Sequence, residues 1–450
     1  MSTPIAALSE KIAAQAVQIP SMYGRIDFSI TPERFTTAPE AKTFLAPEFS
    51  ARRPELLANE EQVALIKAYT MIGDSVADAY AALAPTHGFR RLITMLTEAC
   101  DRGVENVADA PPELFRLIEA MERFPAWLNM KLIEEGARLE RNVYAHLAPF
   151  VLRGALIGTF MNKYTALPMA LTGALSNESS ARRTKETATF FTTTVVPGAL
   201  DRYGAGFKAA AMVRLMHSTV RFNILRHADR WDAKIYGIPI PQVDQMPAGL
   251  VSVFLVAQKA LREGRTNFSP AERARAELAR YRCFLLGLPR ELLADTPQGI
   301  VDIFLTRFAT LRDGFDDTCR ALVDATMNAD LTPDHSLRSR IHAWLEHGFA
   351  KLYFVTTVAH GDKQKATDVG VRLSLSNYLA AAAAGLLITA RMTGYSIAAR
   401  VPMLRDAADR ALVRKLSKQL ASYGHAEFTT NADKYRPVHR GDVRQMSATR

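Results

Sequence analysis

Apolar residues recur at spacings of three and four along most of the chain from about residue 60 onward. This spacing follows the period of an α-helix, in which residues three and four apart share one face. Hardly any segment alternates apolar and polar residues with the period of two that marks a half-buried strand. The pattern therefore predicts an all-α fold, globin-like in helix content, with helices over 60–83, 114–124, 130–147, 184–196, 207–228, 249–262, 270–286, 300–327, 336–358 and 404–422.

Two short segments, 192–196 and 353–358, are rich in β-branched and aromatic residues and so have the composition of strands. Each lies within or beside a longer helical pattern and has no evident strand to pair with. They therefore leave the predicted fold class unchanged.

Prolines and capping residues indicate where helices begin and end. Ser269 ahead of Pro270 is typical of a helix start, and so is Asp109 ahead of two prolines. The segment 237–241 contains two prolines, each of which lacks a backbone donor and disfavours helix at the residue before it. We therefore expect a loop there, directly after the helix over 207–228.

The chain is predicted to contain one large helical domain, 61–422, between an N-terminal extension, 1–60, and a polar basic tail, 423–450. The apolar segment 378–390 is alanine-rich and shorter than the roughly 20 residues that span a bilayer, so we expect a buried helix. The last helix places leucines at four-residue spacing among many basic residues. That basic face is either solvated or rests on anionic lipid.

Composition excludes several classes of protein. With 450 residues, of which 48% are hydrophobic, the chain can bury a large core. The net charge of +10 would suit nucleic acid, but the arginines are spread along the chain without a recognition motif, so no nucleic-acid partner is expected. The first residues do not resemble an export signal, so the expected location is cytoplasmic, with no membrane span and at most peripheral membrane contact.

Motifs of the common enzyme classes are missing. The three cysteines, Cys100, Cys283 and Cys319, are far apart, which argues against a disulfide framework, a cysteine zinc site and covalent haem attachment. No phosphate-binding loop, dinucleotide fingerprint, HExxH or GxSxG sequence occurs. His342 and His347 are five residues apart and therefore point to different faces of a helix.

His217 is the histidine with the most suggestive surroundings. Arg214 precedes it by three residues and Arg221 follows it by four, so all three lie near one face of a helix. Such a face suits the iron of a haem, with Arg214 or Arg221 paired to the propionates. The alternatives are a histidine buried in the core and arginines in surface ion pairs.

Four stretches resemble the oxygenase family that contains the latex clearing proteins, which are bacterial rubber oxygenases, and the fungal MpaB-type oxygenases. The resemblance is strongest over 130–327, and the stretches occur in the family's order. They are Ala181-Arg-Arg-Thr-Lys-Glu-Thr187, Val213-Arg-Leu-Met-His-Ser-Thr-Val-Arg221, Tyr236-Gly-Ile-Pro-Ile-Pro-Gln-Val-Asp244 and Tyr281-Arg-Cys-Phe-Leu-Leu-Gly-Leu-Pro289.

The resemblance implies a haem b held noncovalently in a pocket between helices, with His217 as its proximal iron ligand. It places Arg183 and Thr187 on the distal side, 34 and 30 residues before His217, in the family's register. A distal lysine of the rubber oxygenases corresponds to Glu186, and the adjacent Lys185 is rotated by about 100° on a helix.

The family's catalytic base has no acid in register, and Glu178 is the nearest carboxylate. Local alternatives are an ion pair of Glu186 with Arg182 or Arg183, and a Thr187 hydroxyl bonded to the preceding helical turn.

The implied function is a haem-dependent oxygenase that uses dioxygen to attack a hydrophobic small molecule or polymer, with isoprenoids as a candidate class. Glu186 could act as a base or accept a hydrogen bond where a lysine would donate one. Two alternatives stay open. One is a noncatalytic helical protein that binds haem or lipid, and the other is a peroxidase-like haem enzyme.

Overall fold

The computed structural model describes residues 5–173, 176–227, 231–332, 334 and 336–424. The described residues form helices and no strand, so the predicted all-α class is confirmed. Two isolated bridges, Phe35 with Leu311 and Thr43 with Arg312, are the β-type pairings among them. The helices are α1 Ile5–Gln18, α2 Pro20–Tyr23, α3 Arg53–Ala58, α4 Glu60–Tyr69, α5 Ser75–Ala81, α6 Ala84–His87, α7 Phe89–Arg102, α8 Pro112–Glu122, α9 Met130–His146, α10 Ala148–Gly158, α11 Lys163–Leu171, α12 Asn177–Thr193, α13 Ala205–Arg226, α14 Ala233–Tyr236, α15 Gln242–Arg262, α16 Pro270–Leu285, α17 Pro297–Thr310, α18 Asp317–Met327, α19 Leu337–Tyr353, α20 Lys363–Asp368, α21 Leu375–Arg400 and α22 Pro402–Tyr423.

The chain divides into two compact units, each assembled from two separate segments. Unit 1 contains 1–136 and 198–314, and unit 2 contains 137–197 and 315–450. The predicted boundaries at residues 60 and 422 stay a prediction. The segment before residue 60 nevertheless contributes to the core of unit 1, since Ile19, Met22 and Tyr23 are buried.

In unit 1, the buried helix α13 packs against α2, α5, α7 and α16. Helix α15 packs against α16 and α17, and α17 in turn contacts α3 and α4. Helix α16 begins as predicted: Ser269 accepts a hydrogen bond from the backbone of Glu272, whose side chain bonds back to the backbone of Ser269.

In unit 2, α19 packs against α10 and α21, and α12 lies against α10, α18 and α22. A buried ion pair joins Arg153 of α10 to Glu346 of α19 at 2.9 Å. Nη1 of Arg153 also donates to the carbonyl oxygens of Thr326, Met327 and Ala329 at the end of α18. The arginine therefore closes a helix end whose carbonyls would otherwise be left without donors.

Two helices predicted as continuous are interrupted. The segment 60–83 divides into α4 and α5 because Asp74 caps α5 by accepting from the backbone of Ala77. The segment 300–327 divides into α17 and α18, since Leu311 and Arg312 bridge to the N-terminal segment and Asp316 caps α18. Distant partners and caps override the apolar period at both sites.

Other expectations have mixed outcomes. The segments 192–196 and 353–358 form no strand, and 354–358 is a turn of π-helix. The segment 237–241 is a loop, as predicted.

The expected burial of 378–390 is wrong, because on α21 only Ala380, Ala381, Ala384 and Ile388 are buried. The tail from residue 425 onward lies outside the described residues. No described helix has the length and apolar content that crossing a membrane requires.

We expect stability to fall as the pH drops from about 6.5 to about 4. Burial lowers the pKa of His146 and of His347 to about 4, with nearby Lys and Arg side chains adding to the effect. Each ring therefore takes up its proton more readily in the unfolded chain, and stability present above pH 6.5 is lost on acidification, by at most about 1.4 kcal/mol per pH unit per proton.

Urea unfolding between pH 7 and pH 4 would measure this loss, and His347→Gln should reduce its slope. The exposed His87→Gln is the matched control. An unchanged slope in His347→Gln would contradict the assignment.

Candidate functional site

His217 lies where a buried helix becomes accessible. Between Ala209 and Phe222 on α13, every residue is buried except Met216 and His217. His217 is therefore partly exposed, while the residues packed around it on the helix are buried. This geometry suits a ligand to a group that approaches the helix from outside.

Two glutamines of α15 orient the His217 ring. Nδ1 of His217 lies 3.0 Å from Oε1 of Gln245, and Nε2 of Gln245 donates to Oε1 of Gln242 at 3.2 Å. Nε2 of Gln242 donates in turn to the carbonyl oxygen of Gly73, also at 3.2 Å. We refer to this chain of hydrogen bonds, from His217 through Gln245 and Gln242 to Gly73, as the glutamine relay.

The glutamine relay determines which ring nitrogen carries the proton. A carbonyl oxygen only accepts, so Gly73 requires the amide nitrogen of Gln242, and that orientation turns the Gln242 oxygen toward Gln245. The oxygen of Gln245 then faces His217, whose Nδ1 must donate. Nε2 of His217 consequently carries the lone pair, which is the arrangement that metal-binding histidines use.

Arg214, one turn before His217, is held by a buried carboxylate. Its Nε and Nη2 contact the two oxygens of Asp74 at 2.5 and 2.9 Å, and both side chains are about nineteen-twentieths buried. Asp74 also caps α5. The bidentate pair therefore joins α13 to the start of α5.

Arg221, one turn after His217, is completely buried and pairs with Asp78. Its Nε and Nη2 donate to the carbonyl oxygens of Pro239 and Ile240 at 3.1 and 2.8 Å. Tyr23 donates to the other oxygen of Asp78 at 2.5 Å. Burial raises the pKa of Asp78 to about 6, although Arg221 opposes that shift.

Two more of the stretches that carry the resemblance, 236–244 and 281–289, contact the Arg214–Asp74 and Arg221–Asp78 ion pairs. The loop 237–241 supplies the two carbonyls that Arg221 binds. Gly287, with φ of +86°, approaches so closely that a Cβ there would lie 2.3 Å from Asp74. Three of the four stretches therefore meet around His217 within unit 1.

The segment between α4 and α5 connects the whole arrangement. Gly73 accepts from the glutamine relay, and the next residue, Asp74, binds Arg214. Gln15 of α1 holds the segment by donating to the carbonyl of Met71 and accepting from the backbone N–H of Gly73, both at 2.9 Å. A side chain at Gly73 would collide with Tyr23, so the close approach requires glycine.

The donor set suits a cofactor bound through one imidazole. Among the described residues, no group of three or more His, Cys, Asp or Glu side chains is placed to hold a metal ion. His217 by contrast is partly exposed on α13, and its ring is oriented by the contact of Nδ1 with Gln245. These features fit a haem, whose iron needs one protein ligand on its proximal side.

The three predicted distal residues lie on α12 in unit 2. Arg183 and Thr187 are partly buried, and Nη2 of Arg183 is 3.4 Å from the carbonyl oxygen of Thr172. Glu186 lines a cleft of about 540 Å³, together with Lys185 and Glu178. Arg183 and Thr187 are not among the residues that line this cleft. Helix geometry explains the division, because neighbouring residues are rotated by about 100°.

Sequence reasoning missed the residues that position His217. Gln242 and Gln245 are polar side chains three apart in the first turns of α15, directly after Pro241. Asp74 and Asp78 are acids four apart in an apolar segment, a spacing that places both on one face of a helix. Acids in an apolar segment are a signal that buried cations pair with them.

Comparisons with known proteins match most of the chain to one family. Residues 142–417, more than half of the chain, match a family model described as "ER-bound oxygenase mpaB/B'/Rubber oxygenase, catalytic domain". Among solved structures, latex clearing protein in its closed state matches with a TM-score of 0.53, 16% sequence identity, and coverage of 78% of this chain and 91% of that chain. At that identity the likeness shows the fold. A search of curated proteins found no match.

Proposed function

The chain belongs to the family of the catalytic domains of the ER-bound oxygenases mpaB/B′ and the rubber oxygenases, and from this premise we propose that it is a haem-dependent oxygenase. Its substrate is a hydrophobic compound of isoprenoid type, a small molecule or a polymer, and dioxygen is the oxidant. His217 is the proximal ligand of a noncovalently bound haem b. The observation that carries the proposal is the glutamine relay, which orients the ring of the partly exposed His217 through its Nδ1.

Bound haem supplies the redox chemistry that activates dioxygen. His217 holds the cofactor, and the glutamine relay keeps its ring in one tautomer and one orientation. Arg183, Glu186 and Thr187 are proposed as the distal residues because of the family resemblance. In the role of base, a carboxylate at Glu186 holds or moves a proton that a lysine would instead donate.

Arg214 and Arg221 support His217 in this proposal by holding α13 to α5. The propionate role that the sequence suggested for them stays a prediction. The Nε and Nη2 donors of Arg221 that would serve it are bonded to Pro239 and Ile240, and its Nη1 pairs with Asp78.

The activity is tested on the 450-residue chain produced with haem supplied. We expect a Soret band and oxygen consumption that depends on polyisoprene or a smaller terpenoid, with oxidised cleavage products. Bound haem without oxygen consumption across lipophilic substrates would favour a noncatalytic haem protein. Dye oxidation that requires only peroxide would favour a peroxidase. Either result would overturn the proposed oxygenase reaction.

Gln245→Leu is expected to weaken haem binding by about 10- to 100-fold, the usual effect of removing the partner of a metal-binding histidine. Without an acceptor at Nδ1, the ring of His217 can rotate or change tautomer. Haem titration followed at the Soret band measures the affinity.

Gln245→Glu is the matched variant, since a carboxylate also accepts from Nδ1. It should retain haem and shift the reduction potential downward, because a stronger acceptor increases the electron density on the imidazole. Equal haem affinities of Gln245→Leu and the natural protein would show that the relay does not position the ligand.

A further inference from the structure

The exposed apolar residues of the described chain are concentrated at its C-terminal end. Of seventeen large hydrophobic residues that are exposed, eleven lie between Leu337 and Leu404 on α19, α21, α22 and the turn between the last two helices. Scattered exposed apolar residues are ordinary, whereas a concentration of them marks an interaction surface.

Four of these residues form a line along α21. Leu375, Leu379, Leu386 and Ile397 are 76%, 59%, 76% and 57% exposed. At about 100° per residue they fall within about 40° of one another around the helix, and at 1.5 Å per residue the line is about 33 Å long. The helix carries no acidic residue. This line is the outward face of α21.

The line approaches exposed apolar residues in the first turn of α22. Met403 is 92% exposed and Leu404 is 51% exposed, and Arg400 and Arg405 flank them in sequence. Near the other end of α21, Trp344 of α19 is 43% exposed and its indole N–H donates to Ser376 at 2.9 Å. Apolar side chains beside arginines, with tryptophan at the edge, are typical of proteins that rest at a membrane interface.

The net positive charge of α21 and α22 favours an anionic partner. From Leu375 to Tyr423 there are seven basic and two acidic residues, and one of the acids, Asp409, is already bonded to Arg141 at 2.7 Å. A second copy of this surface would bring like charges together, which disfavours self-association. Anionic lipid headgroups instead complement the arginines, while acyl chains accept the leucines.

We propose that the outward face of α21 and residues 401–404 at the start of α22, together called the C-terminal apolar face, dock on the surface of an anionic phospholipid bilayer. The leucines enter the boundary between headgroups and acyl chains, and Arg400 and Arg405 bind phosphates. The attachment is peripheral and reversible. It does not depend on the proposed haem site, so either proposal can fail without the other.

Cosedimentation of the full chain with vesicles tests the docking. We expect binding to vesicles of phosphatidylcholine containing phosphatidylglycerol, and at least about tenfold weaker binding to phosphatidylcholine alone or at high salt. The triple variant Leu375→Ser, Leu379→Ser, Leu386→Ser should lose at least about tenfold in binding to the anionic vesicles. Since all three side chains are exposed, the fold should persist, and circular dichroism of the variant would measure whether it does.

The matched control replaces three exposed apolar residues of unit 1, Val17→Ser, Val251→Ser and Leu255→Ser, and should bind like the natural protein. The basic tail is intact in both triple variants, so a difference between them reports the apolar face. Absence of binding to anionic vesicles at low salt would overturn the proposal, as would an equal loss in the control. A dimer that the first triple variant converts to monomer would show that a second copy covers the face instead.

Discussion

Replacing His217 by alanine is expected to abolish stable haem binding, with retention at least about tenfold below that of the natural protein and no Soret band after desalting. In the proposed site this imidazole is the protein's proximal ligand to the iron. The fold should survive the change, because His217 is partly exposed while the residues around it on α13 are buried. Haem content per mole of purified protein measures the effect.

Two further variants separate ligand loss from damage to the helix. His227→Ala removes an exposed histidine just after α13 and should leave haem content unchanged. In His217→Gly, imidazole added from solution should restore haem binding, since it can occupy the space of the missing ring. Equal haem loading of His217→Ala and the natural protein would contradict the ligand assignment. Failure of imidazole to restore haem binding in His217→Gly would contradict it as well.

Asp78→Ala is expected to destabilise the protein by about 3–5 kcal/mol, the typical result of removing one partner from a buried ion pair. Arg221 would then be a buried charge without its carboxylate, and Tyr23 would lose its acceptor. Attraction within the pair contributes only part of this cost, because an uncompensated buried charge is unfavourable in itself. Urea unfolding at neutral pH measures the change.

Replacing both Asp78 and Arg221 distinguishes the cost of an unpaired buried charge from the loss of a stabilising ion pair. In Asp78→Leu, Arg221→Met no charge is left buried, so stability should recover most of the loss and could exceed the natural value. Glu119→Ala, which breaks an exposed pair with Arg123, is the control and should have little effect. A double variant as unstable as Asp78→Ala would contradict this explanation.

Helices were predictable where their signals are local. Helix α16 has its apolar period, its Pro270 and its Ser269 cap within a short stretch of sequence, and it forms where predicted. The break between α4 and α5 was not, because a similar apolar pattern continues across it while Gln15 and Gln242 hold the backbone of 71–73 from elsewhere in the chain. The exposure of α21 could not be predicted either, since a run of alanine and leucine does not reveal which side of the helix packs against a neighbour.

The amino-acid sequence was sufficient to predict the helical class, the family resemblance, and His217 with two arginines on one helical face. These follow from residues close together in the chain and from the order of motifs. What those arginines bind, and which nitrogen of His217 faces Gln245, depends on contacts between distant segments of the chain. Asp74 lies 140 residues before Arg214 and Asp78 lies 143 before Arg221, so folding alone brings each pair together. Once buried, a charge requires a partner of opposite sign, so Asp74 and Asp78 hold Arg214 and Arg221, and the propionate role of the two arginines stays a prediction.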